Sequence, residues 1–451
     1  MNTRARMLGE ESISKVLFKL SVPATIGMVV QALYNLVDTI FVGRALGPES
    51  VQGIAGITIA FPIQMIIMGV ALTIGIGSAS IISRSIGAKD YRRADIALGN
   101  AISTILILST LVTIFGSIYI VPLLKLFGAT ETILPFAYDY TRIILYGTLV
   151  FAFSMTVNNI VRAEGNAKVA MLTMVISAGL NIILDPIFIF GLDMGIKGAA
   201  IATVISQAVS AIYLVHYFNS GMSSLNFHVS DLMPHPDVFV ETITIGASSF
   251  ARSASGSLMV IVINNALAIY GGDIHIAVFG VVNRLFMFTF MPMIGIVQGL
   301  QPIVGFNYGA KNFERVVSST ALAIKATTVI SIAGFMLLFL FPSQLFSIFT
   351  TDQQLIDAGR SATRIMVLAL PFVGFQIVGA SIYQTLGKAR PAFFLSISRQ
   401  VLFLIPLVLI LPQFFQLYGV WIAFPISDGL SFLVTFVMLA KEYSAFKAIN
   451  T

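Results

Sequence analysis

Residues 16–42 read VLFKLSVPATIGMVVQALYNLVDTIFV, and Asp38 is the one acid in this mostly apolar run. A run of about 20 apolar residues crosses the roughly 30 Å hydrocarbon core as an α-helix, which satisfies its own backbone hydrogen bonds there. A carboxylate at the centre of such a helix costs about 2.5–3.5 kcal/mol. The stretch therefore predicts a membrane helix whose buried acid needs a functional or structural reason.

The composition indicates that the rest of the chain is also membrane-embedded. Of 451 residues, 57% are hydrophobic and 10% are charged, and the mean hydropathy is +0.93. These values exclude a soluble globular protein. The absence of cysteine excludes disulfides, thiolate metal sites and cysteine nucleophiles. The N-terminal residues lack the pattern of a cleaved signal peptide, so we expect the first helix to remain in the mature protein.

Charged residues, glycines and prolines divide the chain into apolar segments that are long enough to span a bilayer. We therefore predict an all-α integral membrane protein with twelve transmembrane helices. They lie at 16–42, 53–82, 96–121, 134–160, 169–190, 197–218, 238–268, 275–304, 317–341, 356–385, 392–412 and 418–440.

The basic residues alternate between successive connections. Lys and Arg are concentrated in the N-terminus, the C-terminal tail and the loops at 83–95, 161–168, 308–316 and 387–390. By the positive-inside rule, both termini are predicted to be cytoplasmic, in a multi-pass protein of the cell (inner) membrane. The formal charge of +6 therefore indicates topology and not nucleic-acid binding.

The two halves of the chain match at an offset of 222 residues. Matched positions are Lys89 with Lys311, Gly165 with Gly387 and, after a one-residue gap, Gly198 with Gly419. Each copy holds an even number of spans, so the copies are predicted to be parallel. We expect an N-terminal lobe (1–218), a cytoplasmic linker (219–237) and a C-terminal lobe (238–451), forming two pseudo-symmetric six-helix bundles around a central cavity.

Only two acids, Asp38 and Asp185, are predicted to lie well inside spans. Asn181 precedes Asp185 by four residues and so shares its helical face, while Pro186 removes one backbone donor. At about 1.5 Å per residue, Asp38, Asp185 and Thr203 lie at similar depths, roughly 8–10 Å from the outer ends of their spans. The second copy has no acids at the corresponding positions. This asymmetry favours an ion site, although a structural role in pinning helices together remains an alternative.

Other polar and soft side chains carry weaker predictions. Four bases inside second-half spans either line a cavity or pair helices: Arg252, Arg284, Lys325 and Arg399. No histidines form a metal-ligand pair at helical spacing. Methionines suit varied apolar ligands because the side chain adapts, and the candidates for a cavity are Met28, Met65, Met68 and Met174.

Several segments together resemble the multidrug and toxic compound extrusion (MATE) family over essentially the whole chain. They are PATIGMVVQALYNLVDTIFVG (23–43), GIGSASIISRSIGAKDYRRA (75–94), VNNIVRAEGNAK (157–168), NIILDPIF (181–188) and QPIVGFNYGAKNFERV (301–316). The resemblance implies two six-helix lobes and antiport of organic cations or other amphipathic compounds against sodium ions or protons.

The chain looks closest to the branch of this family whose coupling site lies in the N-terminal lobe. Carried over by motif, the proton or cation coupling residues, which would also hold Na⁺, are Asp38, Asn181, Asp185 and Thr203. The substrate cavity would include Gln31, Tyr34 and Asn158, to which the composition argument adds Met174. The other branch has acids in spans seven and ten, whereas this chain has only Glu241 near the start of span seven.

We therefore predict a secondary antiporter that acts by alternating access, with no cofactor beyond H⁺ or Na⁺ as coupling ion. The expected partners are small amphipathic or cationic substrates and the lipid bilayer, with no nucleic acid, and the expected state is a monomer. A lipid-linked substrate flippase of the same superfamily is the alternative. An enzyme is not expected, because the chain contains no DDxxD, HExxH or GxSxG motif.

Overall fold

The computed structural model describes residues 3–45, 50–350 and 352–450. Within these ranges, the side chains at 3, 35, 36, 38–40, 42–45, 50–55, 273, 449 and 450 are outside the description. The described residues form helices joined by short connections, with no strand among them. The predicted all-α class is confirmed.

The helices follow the chain with connections of a few residues, apart from one longer connection after α8. The first eight are α1 (Thr3–Glu10), α2 (Ile13–Ala45), α3 (Ser50–Gly87), α4 (Tyr91–Ile118), α5 (Ile120–Leu126), α6 (Leu134–Ala163), α7 (Ala167–Pro186) and α8 (Gly195–Asn219). A π-helical turn, Ile187–Gly191, extends α7, and a 3₁₀ turn, Val229–Leu232, lies between α8 and α9.

The remaining helices are α9 (Pro236–Tyr270), α10 (Asp273–Gly309), α11 (Phe313–Leu340), α12 (Pro342–Ser347), α13 (Gln353–Met366), α14 (Leu370–Thr385), α15 (Ala389–Ile397), α16 (Ile405–Ile410) and α17 (Pro412–Asn450). A second π-helical segment, Ser398–Leu404, joins α15 to α16. Gln416 interrupts the helical backbone near the start of α17.

Among the described residues, eleven helical segments are long and apolar enough to cross a membrane, and there are twelve if the bent pair α13–α14 is counted as one span. The pair is bent by 56° between Met366 and Leu370. Pro371 follows this bend, where the missing N–H of its ring interrupts helical hydrogen bonding. The predicted twelve spans thus agree with the upper count.

The chain forms two compact units. The first unit contains Met1–Arg6 and Ile26–Gly246, and the second contains Met7–Thr25 and Ala247–Thr451. Two long helices, α2 and α9, contribute residues to both units, and the segment 219–237 packs within the first. Packing therefore divides the chain at different residues from the predicted lobes, whose bounds at 218 and 238 remain a prediction.

The turns of the two halves repeat one another in backbone conformation. A positive φ occurs at Lys89 (62°) and Lys311 (60°), at Gly165 (88°) and Gly387 (75°), and at Gly195 (53°) and Gln416 (52°). The first two pairs are 222 residues apart and the third 221, which are the offsets of the sequence repeat. The sequence matches at these turns therefore correspond to matched geometry.

The linker segment, residues 219–237, is fastened to the first unit by side chains. Arg92 donates from Nη1 and Nη2 to both oxygens of Asp231 at 2.6 Å. The backbone N–H of Asn226 donates to Asp95 Oδ1 at 2.8 Å. The Arg92 guanidinium lowers the pKa of Asp231 below its ordinary 3.8, so this pair is intact at neutral pH and is lost only as the pH falls through that lowered value.

Glu164, in the turn after α6, fixes the beginning of the same segment. Its carboxylate is buried and accepts hydrogen bonds from the hydroxyls of Tyr217, Ser223 and Ser224 and from the Ser224 N–H. Arg4 lies 3.1 Å from the same carboxylate. A buried charge needs such partners, so Glu164 holds both Arg4 and the linker segment within the first unit.

Candidate functional site

α7 places Asn181 and Asp185 on its buried face in the first unit. Residues four apart lie one turn above each other on a helix, and the two side chains are 1% and 0% exposed. Asn181 donates from Nδ2 to Asp185 Oδ1 at 3.1 Å. The polar patch expected from the spacing is therefore present and removed from solvent.

Thr203 brings α8 into this patch. Asn181 Nδ2 also donates to Thr203 Oγ1 at 3.3 Å, and the Thr203 hydroxyl donates to the backbone carbonyl of Ala199 at 3.0 Å. The threonine oxygen is consequently an acceptor toward the site. One amide thus connects a carboxylate on α7 with a hydroxyl on α8, and these three of the four predicted coupling residues lie together.

The backbone changes character directly after these residues. Pro186 follows Asp185, and the π-helical turn Ile187–Gly191 closes with a hydrogen bond from Leu192 N–H to Ile187 O at 2.9 Å. π-Helical turns are rare and occur frequently at functional sites. Sequence analysis anticipated an irregularity from Pro186 but did not predict this turn.

Asp38 was the starting point of the sequence prediction, but its side chain lies outside the described residues. The structure places its backbone in α2, in the part that belongs to the first unit. Its participation in the site remains a prediction.

The predicted cavity residues have different surroundings. Asn158 donates from Nδ2 to Ala170 O at 2.8 Å and to Thr173 Oγ1, and its Oδ1 accepts from Arg162 at 2.7 Å. These bonds join α6 to α7. Met174 packs against Gly27, where an added Cβ would lie 2.8 Å from its sulfur, and Gln31 and Tyr34 are half-buried.

The oxygen atoms at this site suit a proton or a hard cation. Within the described part of the chain, the buried Asn181 Oδ1 has no hydrogen-bond donor, and it lies on the residue that already contacts Asp185 and Thr203. Carboxylate, amide and hydroxyl oxygens are ligands that hard cations prefer. Among the described residues, no group of three or more His, Cys, Asp or Glu is placed to hold a metal ion.

A third intramembrane acid was missed by the sequence analysis. Asp428 lies inside α17 with 4% exposure, and Arg399 Nε is 2.5 Å from its Oδ1. The prediction that only Asp38 and Asp185 lie well inside spans is therefore wrong. The signal was present in the sequence, because Asp428 falls within the predicted span 418–440.

The second unit thus buries a charged pair of its own at positions unrelated to those of the first. Asp428 also supports its surroundings through its backbone carbonyl, which accepts from Gln376 Nε2 at 2.7 Å. This result weakens the argument that buried charge restricted to one copy must be functional. The ion pair with Asp428 shows that Arg399 pairs helical segments: it joins the π-helical segment Ser398–Leu404 to α17.

The other three bases of the second half differ from Arg399. Arg284 and Lys325 are exposed. Arg252 is half-buried and donates hydrogen bonds to Ser249 and Gln384. An ion pair between helical segments therefore accounts for one of the four second-half bases, Arg399.

The chain matches the MatE family model over residues 23–187 and 249–410. It is 26% identical over 430 residues to the multidrug export protein MepA of Staphylococcus haemolyticus. The matched residues make up 95% of this chain and 94% of that relative.

Solved structures agree over nearly the full length. The MATE multidrug transporter DinF-BH in complex with R6G is 48% identical, with a TM-score of 0.90 and coverage of 97% of this chain and 98% of that one. A MATE structure in complex with MaL6 is 30% identical, with a TM-score of 0.92 and coverage of 99% and 100%. These matches confirm the resemblance that the sequence motifs indicated.

Proposed function

Because the chain belongs to the MatE family, whose members are transporters and not enzymes, we propose that it is a secondary antiporter exporting amphipathic or cationic compounds in exchange for H⁺ or Na⁺. The names of its relatives, a multidrug export protein and a multidrug transporter, support this class of substrate. The observation that carries the proposal is the buried hydrogen-bonded set Asn181–Asp185–Thr203.

In the proposed mechanism, the charge state of this set is coupled to transport. Asn181 donates hydrogen bonds to Asp185 on its own helix, α7, and to Thr203 on α8. A change in the charge of the Asp185 carboxylate therefore affects the contact between the two helices. Protonation or Na⁺ binding neutralises the site and favours release of a cationic substrate. Loss of the ion to the cytoplasm restores the negative charge that attracts the next substrate.

Asp38 is proposed as the second carboxylate of the site, on the strength of its depth in α2 and of the family motif. Two nearby carboxylates disfavour simultaneous ionisation, which makes the pair responsive to protons or sodium. Inward movement of one positive charge across the membrane provides about 2.3 kcal/mol per 100 mV. That free energy adds to the ion gradient in driving export.

The test is export from proteoliposomes under separately imposed proton and sodium gradients. We expect Asp185→Asn and Asp38→Asn to abolish coupling to the driving ion, because neither amide can be protonated or carry the charge. Asp139→Asn is the matched control, since Asp139 is a partly exposed acid paired with Lys197 at 3.1 Å. If both site variants still coupled export to a gradient as wild type does, the proposed site would be wrong.

Flipping of lipid-linked substrates is the second candidate, because such substrates carry phosphate and require cationic contacts. Among the four second-half bases, Arg399 is neutralised by Asp428, and Arg284 and Lys325 are exposed. Arg252 is the remaining side chain that favours this candidate. One interior cation is a small basis for recognising a diphosphate, and we rank the drug antiporter first.

We further propose that the protein is a multi-pass component of the cell (inner) membrane, with both termini in the cytoplasm, and that it works as a monomer. The alternation of basic loops supports the orientation. Each unit has its own packed interior, as a transporter built from two lobes in one chain requires.

A further inference from the structure

Arg252 lies at the middle of the transmembrane helix α9. It is sixteen residues after Pro236 and eighteen before Tyr270, or about 24 Å and 27 Å from the two ends. The helix is longer than the roughly 30 Å hydrocarbon core, so an interface lies about 15 Å from its middle. This is still beyond the reach of an arginine side chain, and snorkelling does not account for Arg252.

The guanidinium is directed into the second unit and not toward lipid. Buried residues of α9 around it are Ser248, Ser249, Ser255 and Ile263. Exposed residues nearby are Phe250, Leu258 and Ile261. At about 100° per residue, Arg252 falls at the centre of the buried set and opposite the exposed one. It therefore belongs to the interior face of the helix.

No carboxylate among the described side chains forms an ion pair with Arg252. Its hydrogen bonds are long, from Nη2 to Ser249 Oγ at 3.4 Å and to Gln384 Oε1 at 3.5 Å. Arg399 in the same unit has a carboxylate at 2.5 Å. A charge in the membrane interior normally pairs with an opposite charge or marks a functional site. Arg252 has no such opposite charge among the described side chains.

Its neighbours form a fixed cluster around it. Gln384 Nε2 donates to Ser248 Oγ at 2.8 Å and to Ser249 Oγ at 3.0 Å, which turns Gln384 Oε1 toward Arg252. All three of these neighbours are at most 2% exposed. The arrangement fixes the position of the guanidinium without neutralising it.

The cluster is rich in donors. Ser249 Oγ accepts from both Arg252 and Gln384, so neither bond uses its hydroxyl hydrogen. Within the described residues, Arg252 Nε and Nη1 have no hydrogen-bond partner. A guanidinium is a planar set of donors that matches carboxylate and phosphate geometry.

We propose that Arg252 and Ser249 form an oxyanion-binding site in the second unit, which accepts a carboxylate or phosphate group. This proposal rests on the proposed function for its main consequence: the exporter accepts zwitterionic compounds whose anionic group binds at Arg252. The same chemistry would also hold a lipid phosphate, and the experiment separates the two sources.

The test uses two fluorescent cationic dyes, a rhodamine ethyl ester and its free carboxylic acid, with the full-length protein in nanodiscs. Binding is measured by fluorescence anisotropy without an ion gradient. We expect Arg252→Gln to weaken binding of the acid by about tenfold or more, as for loss of a charged hydrogen bond. Ester binding should change by less than about twofold, and Arg252→Lys should retain part of the acid's affinity.

Arg284→Gln is the matched control, because Arg284 is an exposed arginine of the same unit. Unchanged ester binding and a wild-type elution profile in size-exclusion chromatography show that Arg252→Gln is folded. Equal weakening of acid and ester binding, together with an unchanged amount of copurifying anionic phospholipid, would assign Arg252 a purely structural role and overturn the site.

The second measurement quantifies anionic phospholipid that copurifies with wild type and with Arg252→Gln. Selective loss of this lipid, with no change for the dye pair, supports the oxyanion site with a lipid headgroup as its source. No change in either measurement overturns the site. If wild type binds neither dye, the proposed drug export is contradicted, and the lipid measurement alone decides the oxyanion site.

Discussion

Asn181 is the residue on which the geometry of the candidate site depends. Its amide connects the Asp185 carboxylate on α7 with the Thr203 hydroxyl on α8. It is also buried, so water does not replace it readily. The site therefore consists of three side chains with one shared donor group, and altering either acceptor tests the arrangement.

Thr203→Val removes the hydroxyl and keeps the shape of the side chain. We expect it to reduce ion-coupled export about tenfold, because a buried amide hydrogen then lacks its acceptor, at a cost of about 1–3 kcal/mol. Thr203→Ser is the matched control and should retain most activity, because it keeps the oxygen. The measurement is initial export rate in proteoliposomes against the imposed gradient. Equal rates for the valine and serine variants would show that the hydroxyl has no role in coupling.

Sequence reasoning at this scale succeeded where one helix held the information. Asn181 and Asp185 are four apart, so their shared face followed from helical periodicity. Thr203 was placed by depth, which gives height along the helix axis and not direction around it, and its contact required the packing of α8. Asp428 was overlooked although it falls inside the predicted span 418–440, whereas its pairing with Arg399 required the packing of two separate segments.

Among the elements of the first unit, α3 and the beginning of α9 approach each other closely. A Cβ at Gly77 would lie 2.1 Å from the backbone oxygen of Thr242, and one at Gly246 would lie 1.9 Å from that of Thr73. Backbone atoms cannot move aside as a side chain does. A larger residue at either position would clash with the backbone of the other helix. The two glycines therefore permit the short distance between α3 and α9.

Gly77→Ala is expected to destabilise the protein by about 1–3 kcal/mol, because the added methyl group forces the two backbones apart. Gly179→Ala is the matched control, since a Cβ there meets nothing within 4 Å and alanine favours helix by up to about 1 kcal/mol. Thermal unfolding in detergent should show a lower midpoint for the first variant only. A midpoint at or above wild type for Gly77→Ala would contradict the close approach.

The positions of most helices could be predicted from hydropathy, because each span must bury its backbone in a bilayer. The two π-helical segments, Ile187–Gly191 and Ser398–Leu404, could not. One is wholly apolar and the other contains Arg399 and Gln400, so no shared sequence pattern marks them, and local backbone geometry depends on tertiary packing. Likewise, the sequence showed that segment 219–237 lacks Lys and Arg, but not that Arg92 and Glu164 fix it to the first unit.

At the scale of the whole molecule, the repeat was accessible to the sequence and the packing units were not. Matching turns are visible in the sequence because a positive φ favours glycine, as at Gly165 and Gly387. The division of α2 after Thr25 and of α9 after Gly246 leaves no such mark, because a continuous apolar helix can pack against different neighbours along its length. Lobe boundaries drawn from the repeat and units drawn from packing thus describe different properties.

Orientation in the membrane is the prediction that belongs to the whole chain, and the absence of cysteine makes it directly testable. Single cysteines can be introduced at exposed loop or helix-end positions without removing any native thiol. Those predicted to face the cytoplasm are Ser220→Cys and Glu314→Cys. Those predicted to face outward are Thr132→Cys and Gln353→Cys.

A membrane-impermeant maleimide applied to intact cells should label the two outward positions and leave the two cytoplasmic ones unlabelled until the cells are permeabilised. The reason is the excess of Lys and Arg on alternate connections, which retains those connections on the cytoplasmic side during insertion. The unsubstituted protein, having no thiol, reports background labelling. Labelling of Ser220→Cys or Glu314→Cys in intact cells would invert the topology. It would also place the ion release proposed for the cytoplasmic side on the opposite face, so this result constrains the transport direction as well as the orientation.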